Sequence, residues 1–101
     1  MTHIKEKLVD ALDATLETLY GVYVNWDISN AMIESCKTKL NFMKDNPGFD
    51  IHTNEEQEFE IIEDCKKSIE SYDKQAAVLE PIVKHLKDAL KEAEQYEEFL
   101  K

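Results

Sequence analysis

The side chains of this chain that could do chemistry are three histidines, two cysteines and a run of carboxylates. The histidines are His3, His52 and His85. None has a glutamate three residues before it, and no two of them are four residues apart, so the ligand spacings of helical di-iron and zinc sites are missing. We therefore expect no metal site, no cofactor and no catalytic residue, with the histidines at the surface or at helix ends.

The carboxylate run covers the ten residues from Glu55 to Asp64, of which six are acidic. The six are Glu55, Glu56, Glu58, Glu60, Glu63 and Asp64. Two pairs imitate the ExxE and ExxD spacing of helical nucleotide pyrophosphatases: Glu60 with Glu63, and Glu70 with Asp73. All four lie on one predicted helix, whereas such a magnesium site needs carboxylates from two helices. A solvated face is favoured, and a patch that binds a protein partner is the functional alternative.

The overall charge of the chain limits its partners. The formal net charge is −10, and all twelve basic residues are lysines. Arginine is the residue most used for gripping phosphate and reading guanine, and an acidic chain repels nucleic acid. We therefore expect no direct binding of DNA or RNA.

The opening residues and the cysteines bear on location. The start of the chain is charged within seven residues and has no apolar run long enough for a signal peptide or a membrane span. A cytoplasmic protein without a membrane contact is expected. Cys36 and Cys65 are 29 residues apart and form no CxxC motif. Reduced, buried thiols are favoured over a disulfide.

The acidic run begins the longest predicted element, a helix over residues 53–100. Its apolar residues recur every seven positions in two series, which predicts a seam that packs lengthwise on another helix. The series are Ile62, Ile69, Ala76, Val83 and Leu90, and Cys65, Tyr72, Leu79, Leu86 and Ala93. Thr53 and Glu56 predict a capping box at its start. Pro81 interrupts the interior, and a kinked continuous helix is favoured over two separate helices.

A second seam runs through residues 3–45 and predicts a first helix there, or a pair of helices. Gly21 lies beside β-branched residues, so a break at this point is as compatible with the pattern as continuity. In the case of a break, Asn25 or Asp27 would cap the next helix. Thr2 could cap the start of the first helix.

A turn over residues 46–52 separates the two predicted helices. Pro47 and Gly48 suit the two central positions of a type II turn, because glycine supplies the positive φ of the second one. The two seams then face each other in an antiparallel pair whose partner residues have numbers that add up to about 98. Cys36 with Ile62 is one such pair. A register displaced by one heptad matches almost as well.

Apolar stripes beside both seams predict further packing. Val9 and Leu16 extend the seam of the first helix sideways, and Ile82, Ala89 and Tyr96 do so for the second. A two-helix hairpin cannot bury both stripes. These five residues are therefore predicted to mediate self-association into a four-helix bundle, most simply as a homodimer, unless helix breaks let one chain form the bundle alone.

Aromatic residues gather in the middle of the first predicted helix. Tyr20, Tyr23 and Trp26 are of the types favoured as binding anchors. They form the second candidate site for a protein partner. Packing around a bend is the alternative interpretation.

These patterns predict one all-α domain over residues 1–101, a long antiparallel helical hairpin with bends near Gly21 and Pro81. The leading functional hypothesis is a non-enzymatic acidic protein, of the kind that phages and mobile elements encode, which binds and inhibits a protein partner. Covering a basic, nucleic-acid-binding surface is its sharpest form. A structural or chaperone-like oligomer is the alternative. A metal-dependent hydrolase is the third class. It predicts that magnesium or manganese raises the melting temperature of the protein.

Overall fold

The computed structural model of the chain describes residues 2–49 and 51–100. These residues form two α-helices, α1 over Thr2–Asp45 and α2 over Glu55–Leu100, and they include no β-strand. The prediction of an all-α hairpin of two long helices is confirmed. Within residues 2–49 and 51–100, neither helix has an apolar stretch long enough to cross a membrane.

Both helices are continuous at the residues where breaks were considered. Helix α1 passes through Gly21 and α2 passes through Pro81. Both residues are exposed, so neither disturbs a packed contact. The structure therefore contains no bundle made by breaking the helices of one chain, within the residues it describes. Completion of a bundle by dimerisation stays a prediction.

The turn that follows α1 has the predicted geometry. The N–H of Phe49 donates to the carbonyl oxygen of Asn46 at 3.2 Å, and Gly48 has a φ of 88°. A bond from the fourth residue to the first with a positive φ at the third is the type II pattern. The ring of Phe49 packs edge-on against Phe42, with centroids 5.2 Å apart. This contact holds the turn against the end of α1.

Helix α2 begins later than predicted, and its cap differs. The Gln57 N–H donates to Asn54 Oδ1 at 2.9 Å, and the Glu58 N–H donates to the Asn54 carbonyl at 3.1 Å. Asn54 is therefore the N-cap, and the predicted capping box of Thr53 and Glu56 is wrong. The hydroxyl of Thr53 is occupied elsewhere, because it donates to the side chain of Glu58 at 2.7 Å.

The chain divides into two compact units, each containing one segment of α1 and one of α2. We call Val24–Asp73 the turn unit, and Met1–Tyr23 with Lys74–Lys101 the terminal unit. The prediction of one domain over the whole chain stays a prediction.

The turn unit has a contiguous apolar core. Ile33, Cys36, Ile62 and Cys65 are buried together, which confirms the predicted pairing of Cys36 with Ile62. Both cysteines are unpaired thiols, as predicted. The flanking residues are Leu40, Ile61 and Ile69. The seam thus packs here in the register that the two heptad patterns indicate.

In the terminal unit the helix segments are also antiparallel. Lys5 pairs with Glu97 at 3.3 Å, while Tyr23 donates a hydrogen bond to Glu80, so residue numbers rise in α1 as they fall in α2. The numbers of these partners add up to 102 and 103, which is four and five more than the predicted 98. The buried seam residues of this unit are Leu19, Val22, Val83 and Ala93.

Candidate functional site

The most unusual polar group of the turn unit is a buried carboxylate near the start of α2. Glu58 is only 1% exposed. Its Oε1 accepts the hydroxyl proton of Thr53 at 2.7 Å and lies 3.6 Å from the ammonium of Lys39 on α1. Its Oε2 is buried without a hydrogen-bond partner within the described part of the chain. Glu58 therefore ties the start of α2 to α1.

The thiol of Cys36 also acts on this carboxylate. A hydrogen bond from Cys36 is the largest cause that lowers the pKa of Glu58, and the hydroxyl of Thr53 is the next. Lys39 favours the ionised form as well, whereas burial opposes it. Burial, followed by the hydrogen bond to Glu58, raises the pKa of Cys36 to about 11. Glu58 is thus an anion that neighbouring donors stabilise.

The thiol of this arrangement is not an activated nucleophile. A thiol with a pKa near 11 is protonated at neutral pH, and only a thiolate is a good nucleophile. Over residues 2–49 and 51–100, no group of three or more His, Cys, Asp or Glu side chains could hold a metal ion. The group of Glu58, Thr53, Lys39 and Cys36 acts as an anchor for the helix start.

Five of the six predicted acidic residues lie on the surface at the start of α2. We call these five the acidic face: Glu55, Glu56, Glu60, Glu63 and Asp64. Glu63 lies 3.6 Å from Lys66, and the other four have no ion pair within the described residues. Glu58 was predicted to belong to this patch, but it points inward and cannot offer its carboxylate to a partner in this fold.

The acidic face surrounds an aromatic residue that the sequence analysis missed. Phe59 is 55% exposed. Glu55 and Glu63 lie four residues before and after it, and Glu56 three before, so all three carboxylates share its side of the helix. The sequence feature that could have identified Phe59 is its place directly after Glu58, which is itself at a seam position seven residues before Cys65. Phe59 therefore lies beside the buried seam and not in it. The result is an apolar ring bordered by carboxylates.

The aromatic residues predicted as a second partner site have bonds within the chain. In the turn unit, Trp26 Nε1 donates to Asp73 Oδ1 at 3.1 Å. In the terminal unit, the hydroxyl of Tyr23 donates to Glu80, and this bond raises the pKa of Tyr23. Tyr20 is largely exposed. Since Tyr23 and Trp26 already use their polar atoms, their role as partner anchors stays a prediction.

The residues predicted for self-association do not share one face of the terminal unit. The bond from Tyr23 to Glu80 shows that Tyr23 lies on the Glu80 side of the seam. Leu16 and Val9 lie seven and fourteen residues before Tyr23, so they lie on the same side of α1. Ile82 lies two residues further along α2, which is about 200° around the helix from Glu80. The stripe of Ile82, Ala89 and Tyr96 therefore flanks the opposite side of the seam. A single interface cannot contain both stripes.

No known protein family, curated protein or solved structure matches the chain. Each of the two units has one exposed surface that is open to a partner. These are the acidic face with Phe59 in the turn unit, and the apolar stripe of α2 in the terminal unit.

Proposed function

We propose that this protein is a non-enzymatic helical module that binds a basic protein through the acidic face and Phe59. The observation that carries this proposal is that the exposed ring of Phe59 is bordered by carboxylates of the acidic face. Most carboxylates of the acidic face have no lysine partner in the described residues. Aromatic residues that become buried in a contact supply much of the affinity of an interface. Surrounding charges supply orientation and association rate.

The mechanism is inhibition by occlusion. The net charge of −10 steers the protein toward basic surfaces, and this attraction weakens as salt increases. Carboxylates then pair with the lysines and arginines that a nucleic-acid-binding protein uses for phosphate, while Phe59 packs against an apolar neighbour. We place this activity in the cytoplasm, where a DNA- or RNA-binding partner is found.

The test is capture of proteins from a bacterial lysate on the immobilised protein, with and without excess DNA, followed by mass spectrometry. We expect basic proteins to be captured and DNA to displace them. A variant in which the acidic face is converted to amides, and a second variant with Phe59→Ala, should each lose the captured proteins.

A matched control changes the net charge by the same amount elsewhere. Five exposed acids of α1 are converted to amides in this control: Glu6, Asp10, Asp13, Glu17 and Asp27. The control should still capture the same proteins. Equal loss in both variants would show that only net charge matters, and retention by the acidic-face variant would overturn the proposal.

A structural, oligomeric helical bundle is the second candidate function. The observation that favours it is the number of large apolar side chains left exposed in the terminal unit, among them Tyr96 and Phe99. Apolar patches of this kind mark association surfaces. A monomer mass at every protein concentration would rule out this second candidate, because this function requires an oligomer.

A further inference from the structure

The terminal unit has a second heptad seam on α2, on a side of the helix that the first seam does not bury. We call it the outer stripe, and its residues are separated alternately by four and three positions. It consists of Val78, Ile82, His85, Ala89, Glu92, Tyr96 and Phe99. This spacing is that of a helix built to pack along another helix.

The large apolar residues of the outer stripe are 40% or more exposed within the described residues, whereas Ala89 at its centre is half-buried. Val78 is 63% exposed, Ile82 40%, Tyr96 50% and Phe99 84%. The buried seam of the same segment contains Val83 and Ala93, which are each one to three residues away in sequence. The outer stripe is thus a separate surface and is about 32 Å long, at 1.5 Å per residue.

The outer stripe is complementary to itself when it is reversed about Ala89. Ile82 and Tyr96 lie seven residues to either side, and Val78 and Phe99 lie eleven and ten residues away. His85 and Glu92, its two ionisable residues, lie four before and three after. In two antiparallel copies related by a two-fold axis, each residue meets its counterpart. Apolar residues then meet apolar residues, and an imidazole N–H meets a carboxylate.

The local charge disfavours a basic partner at the centre of the outer stripe. From Lys84 to Lys91 the helix contains three lysines and one aspartate, in a protein whose net charge is −10. A basic partner would instead be attracted to the acid-rich start of α2. The small side chain of Ala89 allows two helices to approach closely.

We propose that the outer stripe is the dimer interface of this protein. Helix α2 of one copy packs antiparallel against α2 of a second copy, with the two-fold axis at Ala89. One helix face of this length contributes on the order of 350 Å² per copy, which is less than half of a standard interface. An interface this small is typical of weak or transient association, so the dimer is expected to form only at high protein concentration.

The first test is sedimentation equilibrium of the full chain from about 1 to 200 µM. The wild-type mass should rise from 11.8 kDa toward twice that value. Ala89→Arg places a cation from each copy at the axis and should increase the dissociation constant at least 50-fold. Ala77→Arg is the control for an added charge on the same helix outside the stripe, although Ala77 is exposed and Ala89 is half-buried. It should dimerise like the wild type, and circular dichroism should show equal helicity in all three proteins.

The second test uses the only polar pair of the interface. His85→Glu should increase the dissociation constant at least tenfold, because two carboxylates then face each other. Adding Glu92→His should restore it to within threefold of the wild type. Residues seven apart on one helix are about 10.5 Å apart along its axis, so this rescue requires a second copy.

A monomer at 200 µM, a dimer that Ala89→Arg leaves intact, or a double variant no better than the single one would each overturn the inference. It is independent of the proposed binding of a basic protein. The capture experiment can fail while the dimer is found, and the reverse is equally measurable.

Discussion

The turn unit and the terminal unit are built from the same two helices but are stabilised differently. The turn unit buries a cluster around Cys36 and Ile62, and it fixes the start of α2 with the buried carboxylate of Glu58. The terminal unit contains both helix-weakening residues, Gly21 and Pro81. It also leaves the four large apolar side chains of the outer stripe exposed, Val78, Ile82, Tyr96 and Phe99. The comparison shows that one uninterrupted heptad pattern can produce two regions with different physical roles.

The difference follows from where each region places its exceptions to the pattern. In the turn unit the exception is a charged group at a seam position, and it is stable there because three donors surround it. In the terminal unit the exceptions are apolar groups outside the seam, and these are stable only in contact with something else. We therefore expect the turn unit to determine fold stability and the terminal unit to determine association.

The largest expected effect is the loss of the buried carboxylate. Glu58→Ala leaves Thr53 and Cys36 without their acceptor and creates a void, so it should lower the free energy of unfolding by about 2–4 kcal/mol. Urea unfolding followed by circular dichroism measures this. Glu60→Ala, on the exposed side of the same turn, is the control and should change stability by less than about 0.5 kcal/mol. Equal effects of the two substitutions would contradict an anchoring role.

The same group predicts how stability depends on pH. Because the fold lowers the pKa of Glu58 below its ordinary value of 4.5, its contribution is complete above that pH and is lost as the pH falls through the folded value. The wild type should therefore be more stable than Glu58→Gln at pH 7, and the gap should narrow below pH 4.5. Urea titrations at pH 7, 5, 4 and 3 measure the gap, and a constant gap would rule out ionisation of Glu58 as its source.

A smaller gain is expected from the proline of the terminal unit. Pro81 removes one helix hydrogen bond, and its replacement by alanine restores the bond to the carbonyl of Ala77. Pro81→Ala should therefore raise the free energy of unfolding by about 1–3 kcal/mol. Thermal unfolding measures this. A loss of stability would mean that the terminal unit depends on the geometry imposed by the proline.

The smallest effect is expected at the glycine of the same unit. A Cβ added at Gly21 would meet no atom within 4 Å, so alanine fits without strain. Gly21→Ala should stabilise the protein by about 0.5–1 kcal/mol through the unfolded chain and the helix propensity. The same substitution at Gly48 is the opposite control, since its φ of 88° disfavours a side chain and alanine there should destabilise. Urea unfolding of both variants compares them.

The fold was predictable because its signals are local and periodic. The seams of α1 and α2, the type II turn at Gly48 and the pairing of Cys36 with Ile62 all follow from spacing and turn chemistry. The capping error at Thr53 arose because both Thr53 and Asn54 are good caps, and the choice depended on Glu58. Thr53 donates to Glu58, five positions later, whereas the capping box relates a residue only to the one three positions later.

The sites were less predictable because they depend on which flank of a helix stays open. The acidic run indicated a charged face, but it gave no reason to separate Glu58 from Glu60 or to notice Phe59. The flanking stripes were recognised, yet their placement on opposite sides required the bond from Tyr23 to Glu80. Such distinctions arise only when one helix is packed on another.

By itself, the order of residues determined the two helices, their approximate lengths, the turn and the acidic surface, because backbone geometry converts periodicity directly into faces. Tertiary structure decided that Glu58 is a buried anion, that Phe59 is exposed among surface carboxylates and that the outer stripe lies on the flank of α2 opposite Glu80. The physical reason is that burial is a property of pairs of elements: a side chain is inside or outside only relative to the surface that packs against it.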